Sequence, residues 1–494
     1  MRLGELLDSA GIEIRCTSEE KDGILNGLTD DSREVKKGYI FIAVRGLQVD
    51  GHDYVARAVD KGATAVIVEI GRHINVPKGC VLIEVDDTQK TLGKIAHAFQ
   101  GHPTARMSVF GVTGTNGKTS IAFLMESIFR AAGYSPGLIG TVEYRYEDRC
   151  ETSSQTTPTQ IKLASLMKNM ADAGVDALSM EVSSHAIDQQ RIEGIKFDVG
   201  LFTNLTQDHL DYHRDMDVYR EVKKRFFTQY LLPLNAIAVF NIDNEVGRSF
   251  AIDYTGPKMT YGIRANADVK ALHFESDMRG TRIELNVGAE DITVHSRLIG
   301  KFNVSNITGA VAAAHAFGIS PEQIRKGITD LECVPGRFEQ VTAGQLFRVL
   351  VDYAHTPDAL KNVLDDAREL ASGKLITVFG CGGDRDKGKR PLMGKIVAER
   401  SDRFFITSDN PRSEQPLAII EMIEEGITAE SADYEVIPDR RKAIETALND
   451  AREGDVVVIA GKGHENYQLI GEKRLFFDDR KVVREALGRL KDRW

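Results

Sequence analysis

A chain of 494 residues exceeds what one hydrophobic core holds, so roughly two to four domains are expected. Its 42% hydrophobic and 28% charged content is that of a globular protein in water, and a net charge of −10 excludes nucleic acid or an anionic membrane as a bulk partner, though a local basic pocket for a small anion stays open. No apolar run reaches membrane-spanning length, and the opening MRLGELLDSAGIEIR lacks the order of a signal peptide. Cys16, Cys80, Cys150, Cys333 and Cys381 are scattered without a CxxC pair, which excludes a disulfide framework and a structural zinc site and points to a reducing cytoplasm.

The first hundred residues form an α/β unit of their own. DDSREVKKGYIFIAVRG (30–46) is a polar turn leading into a strand, and GHDYVARAVDKGATAVIVEI (51–70) is a helix stopped near Gly62 and then a strand. A Gly/Pro-bearing stretch, GHPTARM, ends the unit near residue 101. SVFGVTG (108–114) is a strand, SIAFLMESIFRAAG (120–133) a helix closed by Gly133, and DALSMEVSS, DVGLFTNL and AIAVFNIDN read as further strands. Strands separated by helices imply a mostly parallel, doubly wound sheet. CVPGRFE (333–339) reads as a linker. Beyond it LFRVLVDYAHTPDAL, KLITVFGCGGDRD, RFFITSDNPR and DVVVIAGKGHE repeat one plan, an apolar strand delivering a polar loop, and such strand ends bind ligands in open α/β sheets.

GVTGTNGKTS (111–120) carries the strongest chemistry. A glycine-rich turn between strand and helix presents Gly114, Thr115, Asn116 and Gly117 amides to a phosphate, Lys118 reaches the β- and γ-phosphates, and the Thr119 hydroxyl suits Mg²⁺. The loop is a variant, because Val112 stands where the strict pattern requires glycine; a chance GKT turn is the alternative. MEVSSHAIDQQR offers Glu181, Ser183, His185, Gln189 and Arg191 at a strand end, and TNLTQDHLDYH offers Asn204, Asp208, His209, Asp211 and His213. His209 and His213 are spaced for zinc, but Leu210 stands where the metalloprotease pattern needs glutamate. Lys223 reads by itself as one more basic residue on a helix, and SDNPRSE as an ordinary surface turn beside a charge.

VTGTNGKT, TTP, MEVSSHA, TNLTQDHLDYH, GKFNVSNITGA, PGRFE, DYAHTPDAL, GCGGDRDKGKRP, SDNPRSE and AGKGHENYQ occur in the order seen in the Mur ligases, and the chain resembles that family over nearly its whole length. The resemblance implies three domains: a UDP-binding unit (1–100), a central P-loop-type ATPase (101–337) and a Rossmann-like domain (338–494) that receives an amino acid. It implies an ATP-dependent amide ligase that adds meso-2,6-diaminopimelate to UDP-N-acetylmuramoyl-L-alanyl-D-glutamate through an acyl phosphate, in peptidoglycan synthesis. ATP and Mg²⁺ are the implied cofactors, and a cytoplasmic monomer without nucleic-acid partner or membrane insertion is expected.

Residue by residue, the resemblance assigns Ser32 to the UDP portion and Thr156, Thr157, Ser183, Gln189 and Arg191 to the muramoyl-dipeptide. It assigns Thr119, Glu181 and His209 to Mg²⁺, and Asn303, Asn306 and Arg337 to the nucleotide. Lys223 matches a lysine that these ligases carbamylate. Asp409, Asn410, Pro411 and Arg412 match a loop that marks diaminopimelate enzymes, with Arg390, Gly461 and Glu465 as further contacts. The chemistry suits the assignment: diaminopimelate differs from lysine by one carboxylate, and an arginine fork grips a carboxylate with two charge-assisted hydrogen bonds. Two rivals stay open. A folylpolyglutamate synthase shares the central ATPase but lacks the N-terminal unit and the DNPR loop, and a sugar-nucleotide sensor would bind without ligating.

Overall fold

The computed structural model describes residues 1–13, 22–46, 49–288, 290–428 and 432–490, so Cys16 lies outside the described residues. By contact density the chain divides into two compact units, Met1–Gly111 with Tyr134–Asp198 and Arg225–Ala236, and Val112–Gly133 with Val199–Lys224 and Ile237–Trp494. The fold is α/β with parallel-rich sheets in three domains.

In the first unit the short apolar runs become the strands Gly27–Thr29, Tyr39–Ile42, Ala65–Glu69 and Val81–Val85, all parallel and in chain order. Alternation decides their faces. Ile40, Ile42 and Ile67 pack with Leu3, Leu6, Leu92 and Ile95, whereas Phe41, Val66 and Val68 pack with Val55 and Ala58 on the other side. The helix Thr88–Phe99 starts where Asp87 accepts the Lys90 amide. The same unit holds Ala177–Glu181, parallel to Pro136–Ile139, followed by the antiparallel strands Glu143–Tyr146 and Arg149–Thr152.

In the second unit Val199–Phe202, Ile237–Asn241 and Lys258–Gly262 run parallel. An antiparallel meander, Val269–Asp277, Gly280–Val287 and Glu290–Ser296, continues that sheet. The expected parallel core is present; both antiparallel extensions went unread because their residues alternate between buried and exposed, which is a weak signal in short segments. The last sheet orders Glu339–Gln340, Arg348–Asp352, Val456–Ala460, Leu375–Phe379, Arg403–Ile406 and Tyr434–Val436, parallel except at its first edge. Helices Pro357–Leu370, Lys389–Arg400 and Pro416–Glu424 cover one face and Arg440–Asp450 with Asp479–Arg489 the other. Arg440 and Asp479 are both fully buried and form a two-pronged pair at 2.8 and 2.7 Å, while Arg440 Nη2 also donates to the Ala460 carbonyl, 2.9 Å away. That carbonyl ends the central strand, so the pair fixes the point from which the Gly461 loop departs. No helix among the described residues is long and apolar enough to cross a membrane.

One buried group makes the first unit sensitive to acid. His97 is fully buried on the helix Thr88–Phe99, and neither ring nitrogen has a hydrogen-bond partner among the described residues. Burial, aided by His102, pushes its imidazole down to about 3. A histidine held neutral in the fold gains a proton more readily when unfolded, so its contribution to stability is present above its ordinary titration near pH 6.5 and is lost as pH falls toward 3. Acid unfolding of the wild type and of His97→Leu should therefore diverge in this window, with the variant losing less stability, by a few kcal/mol at the acid end; superimposable acid-unfolding curves would contradict it.

Candidate functional site

The strand Ser108–Thr113 ends at Gly114, whose φ of +147° is a conformation that L side chains rarely adopt. A Cβ there would stand 1.8 Å from Thr203 Oγ1. Gly117, at φ +89°, leads into the helix Lys118–Ala131, and a Cβ on it would stand 2.4 Å from Asn306 Oδ1. The following strand's loop braces the turn from behind: Asn204 accepts the Asn116 amide at 2.9 Å, Thr203 Oγ1 donates to the Asn116 carbonyl at 2.6 Å, and Thr115 Oγ1 meets Tyr219 Oη at 3.2 Å. Asn303 and Asn306, one helical turn apart, are bonded to each other at 3.1 Å. The second unit therefore brings the six expected loop residues and both asparagines together.

Two ammonium groups converge on this loop. Lys118 Nζ donates to the carbonyls of Gly114 at 3.0 Å and Thr115 at 2.8 Å, and Lys223 Nζ donates to the same Gly114 carbonyl at 2.8 Å. Lys223 is 1% exposed and lies 4.7 Å from the Tyr219 ring centroid. Burial first, and then the Lys118 charge, hold its amine well below the usual lysine range, against an opposing pull from Asp208.

Arg337, from the linker, donates from Nη2 to Thr119 Oγ1 at 2.9 Å and lies 4.5 Å over the Tyr353 ring. Asn116 Nδ2 donates to Asp358 at 3.0 Å. His209 adopts a left-handed backbone at φ +55° and pairs with Asp208 at 3.3 Å. Burial alone would raise Asp208, but His209, His355 and Lys389 outweigh it and hold the carboxyl below its ordinary range. His355 is pushed down to about 4 by burial and then by Lys389. The sequence reading singled out neither His355 nor Lys389, because their proximity to Asp208 depends on loops separated by more than a hundred residues. Among the described residues no group of three or more His, Cys, Asp or Glu side chains gathers as a metal cage.

In the first unit Glu181 ends the strand Ala177–Glu181. Its Oε1 accepts the Thr141 amide at 2.7 Å, its Oε2 the Thr141 hydroxyl at 2.9 Å, and that hydroxyl meets Thr156 Oγ1 at 3.0 Å. Thr157 Oγ1 donates to the Glu181 carbonyl at 2.8 Å and accepts the Ser183 amide at 3.1 Å. Arg191 donates to Gln189 Oε1 at 2.7 Å and to the Thr157 carbonyl at 2.9 Å. Thr156, Thr157, Glu181, Ser183, Gln189 and Arg191 thus form one polar cluster. Ser32 is buried in the turn after the strand Gly27–Thr29.

In the C-terminal sheet three strand-end loops are laced together, and Asn410 is the knot. Its Nδ2 donates to Glu465 at 2.8 Å, its Oδ1 accepts from Lys462 Nζ at 3.2 Å and the Leu469 amide at 2.9 Å, and its carbonyl accepts the Gly383 amide at 2.9 Å. Arg412 has a left-handed backbone at φ +52°, clamped by its amide to the Leu469 carbonyl and by its own carbonyl to the Gly471 amide. Its Nη1 donates to the Gly383 carbonyl at 2.7 Å, and Nε and Nη2 make no hydrogen bond among the described residues. Burial would raise Asp409, but Lys462 and Arg440 hold its carboxyl low. Gly461, at φ +115°, leaves room for it: a Cβ would meet Asp409 Oδ2 at 2.7 Å. Pro411 is buried, its carbonyl lying where a Cβ on Gly383 would fall.

Arg390 is fully buried and closes its fork on Glu414 at 2.9 and 2.8 Å, which holds Glu414 at about 2, so Arg390 secures the loops.

Known proteins share this architecture. Residues 112–314 match the Mur ligase middle domain, 336–463 the Mur ligase glutamate ligase domain, and 25–100 the Mur ligase family catalytic domain. The UDP-N-acetylmuramoyl-L-alanyl-D-glutamate--2,6-diaminopimelate ligase of Geobacter metallireducens is 44% identical over 486 residues, 94% of each chain, and its namesake in Aquifex aeolicus 45% over 466 residues, again 94% of each. A solved structure with that ligase name superposes with a TM-score of 0.69 at 31% identity, covering 99% of this chain and 100% of that one. Folylpolyglutamate synthase of Mycobacterium tuberculosis, with ADP and AMPPCP, covers 75% of this chain at 17% identity and a TM-score of 0.61, a likeness of fold alone.

Gly114→Ala should weaken nucleotide binding about tenfold or more, because the new methyl must displace Thr203 and the backbone is strained. Calorimetric titration with ADP checks this, and unchanged affinity would separate the loop from phosphate binding.

Proposed function

The chain belongs to the Mur ligase family, and from that premise we propose how its residues divide the work. It is an ATP-dependent ligase that adds meso-2,6-diaminopimelate to UDP-N-acetylmuramoyl-L-alanyl-D-glutamate in peptidoglycan synthesis. The observation that carries the division of labour is the pair of lysine side chains sharing the Gly114 carbonyl beside Thr119.

A carboxylate is a poor electrophile, so the D-glutamate carboxylate first attacks the γ-phosphate of ATP, expels ADP as the bond to the bridging oxygen breaks, and becomes an acyl phosphate. That encounter joins two anions. Lys118, steered by the Gly114 and Thr115 carbonyls, supplies the compensating charge. Gly114 to Thr119 hold the phosphates, Asn303 and Asn306 flank the nucleotide, and Arg337 enters from the linker. The amine of diaminopimelate then attacks the acyl phosphate, phosphate leaves, and the amide forms; positioning supplies most of the acceleration. Thr119, Glu181 and His209 are assigned to a cation on the chemistry of their donors, which suits an ion bound largely through oxygens and completed by water and phosphate. Mg²⁺ held there would neutralise developing charge on the transferring phosphate.

Lys223, buried with its amine held well below the usual lysine range, is assigned the uptake of carbon dioxide, which releases a proton and gives a carbamate whose negative charge would offset Lys118. Ser32 is assigned to the UDP portion, and the cluster of Thr156, Thr157, Ser183, Gln189 and Arg191 to the muramoyl-dipeptide. Arg412 is the selectivity residue, taking the distal carboxylate that lysine lacks; Asp409, Asn410, Gly461 and Glu465 complete that subsite, with Pro411 fixing the loop and Arg390 acting through Glu414. The domain limits proposed are 1–100, 101–337 and 338–494. Cys80, Cys150, Cys333 and Cys381 are free thiols, which supports work in a reducing cytoplasm; a monomer is the oligomeric state proposed.

The deciding experiment is phosphate release with ATP, Mg²⁺ and the UDP-dipeptide, with diaminopimelate, L-lysine or no amino acid, and product masses checked. Release and a tripeptide product are expected with diaminopimelate alone; release only with a folate substrate would overturn the reading. In the same assay Arg412→Ala should raise the KM for diaminopimelate by roughly tens- to a thousandfold, with little change for ATP, because a carboxylate is left unpaired in a closed site; equal effects on both would remove the selectivity role. Intact-mass measurement in bicarbonate, with ¹³C-carbonate NMR, should find a carbamate on Lys223 that Lys223→Met lacks, and a free amine in active enzyme would refute it.

A further inference from the structure

Lys462 plays no part in the division of labour above, yet its side chain is fully buried. A buried ammonium is costly unless its donors find acceptors and its charge a partner. Lys462 Nζ donates to Glu465 Oε2 at 2.9 Å and to Asn410 Oδ1 at 3.2 Å, and lies 5.5 Å from the centre of the Tyr467 ring.

Glu465 is consequently asymmetric. Oε2 accepts both Lys462 and Asn410 Nδ2, whereas among the described residues Oε1 has only the Tyr467 hydroxyl, at 3.4 Å. Arg412 Nη1 donates to the Gly383 carbonyl at 2.7 Å and reaches the Asn410 carbonyl at 3.5 Å, so Asn410 touches both charged side chains. Among the described residues no hydrogen bond or ion pair joins Arg412 to Glu465 directly. Left to itself, a flexible carboxylate would swing onto a neighbouring guanidinium, and the site would neutralise its own charges.

We propose that Lys462 is a positioning residue that keeps the two charges apart. By anchoring Glu465 through one oxygen, it leaves the other facing the substrate, so that Glu465 takes the ammonium and Arg412 the carboxylate of a zwitterionic amino-acid end. Two opposite charges held apart match a group carrying an ammonium and a carboxylate on one carbon, and a plain amine, as at the end of lysine, would satisfy only one of them. The inference rests on the reading that this loop cluster receives the distal end of diaminopimelate.

A double-mutant cycle tests it. Initial rates of phosphate release are measured against diaminopimelate, at saturating ATP and UDP-dipeptide, for wild type, Lys462→Gln, Glu465→Gln and the double variant. Lys462→Gln should raise the KM for diaminopimelate roughly ten- to a hundredfold while the KM for ATP stays within about twofold. The double variant should be no worse than Glu465→Gln, because Lys462 acts through Glu465. Should Lys462→Gln fail to fold, the double variant, which removes both charges, is compared with Glu465→Gln alone. Multiplying losses in the double variant, a parallel rise in the KM for ATP, or an unchanged KM for diaminopimelate would each overturn the proposal. Wild-type protein that turns over lysine but not diaminopimelate would instead remove the reading on which it rests, and the proposal with it.

Discussion

The Gly114 carbonyl oxygen accepts hydrogen bonds from two lysines, and the chemistry of the second unit is organised around that constraint. One ammonium beside one carbonyl is an ordinary arrangement. Two, with one fully buried, require the buried amine to surrender its proton or acquire a counter-charge. The loop is where it must be for this to happen, because Gly114 alone fits against Thr203 and Gly117 alone fits against Asn306. Asn204, Tyr219 and Arg337 then have fixed targets on the loop, and Asn116 reaches Asp358 beyond the linker. The position of one peptide group therefore sets the placement of two lysine side chains, the orientation of a hydroxyl and a contact to the C-terminal domain.

The C-terminal sheet solves a different problem, which is to hold several charges in a small volume without letting them cancel. It does so by closing some charges into pairs and keeping others apart. Arg440 with Asp479 and Arg390 with Glu414 are closed, two-pronged pairs. Replacing one member of such a pair leaves a buried charge uncompensated, at a cost of about 3–5 kcal/mol. Arg412 and Glu465 are secured mainly by neutral groups and by Lys462, and each keeps hydrogen-bonding capacity in hand. The parallel strands contribute by delivering all these loops to one end of the sheet.

Much of this was legible from residues alone. The phosphate loop announced itself because an apolar strand, glycines at the turn and a helical continuation reinforce one another over a dozen positions. The strand-end loops of the C-terminal domain were visible for the same reason, since each follows a run such as LITVF or VVVIA. What escaped were contacts made by folding. Lys462 sits between two glycines and reads as a solvated charge, and its burial is imposed by Asn410 arriving from another loop. Nothing local shows that Glu414, across an intervening strand, closes the Arg390 fork. Nor does the sequence show that His97 is buried because Gly93 and Gly194 let the backbone come within contact of its ring.

Arg412 has one further consequence. A left-handed backbone costs an arginine on the order of 1 kcal/mol that glycine, and to a lesser extent asparagine, does not bear. The clamp to Leu469 and Gly471 imposes that geometry whatever side chain occupies the position. Folding and the proposed recognition therefore pull in opposite directions here: substitutions that relax the turn are those that discard the guanidinium fork. A lineage released from discriminating between amino acids would drift away from arginine downhill in free energy. The identity of this one side chain thus records a demand made by chemistry, against the preference of the chain that carries it.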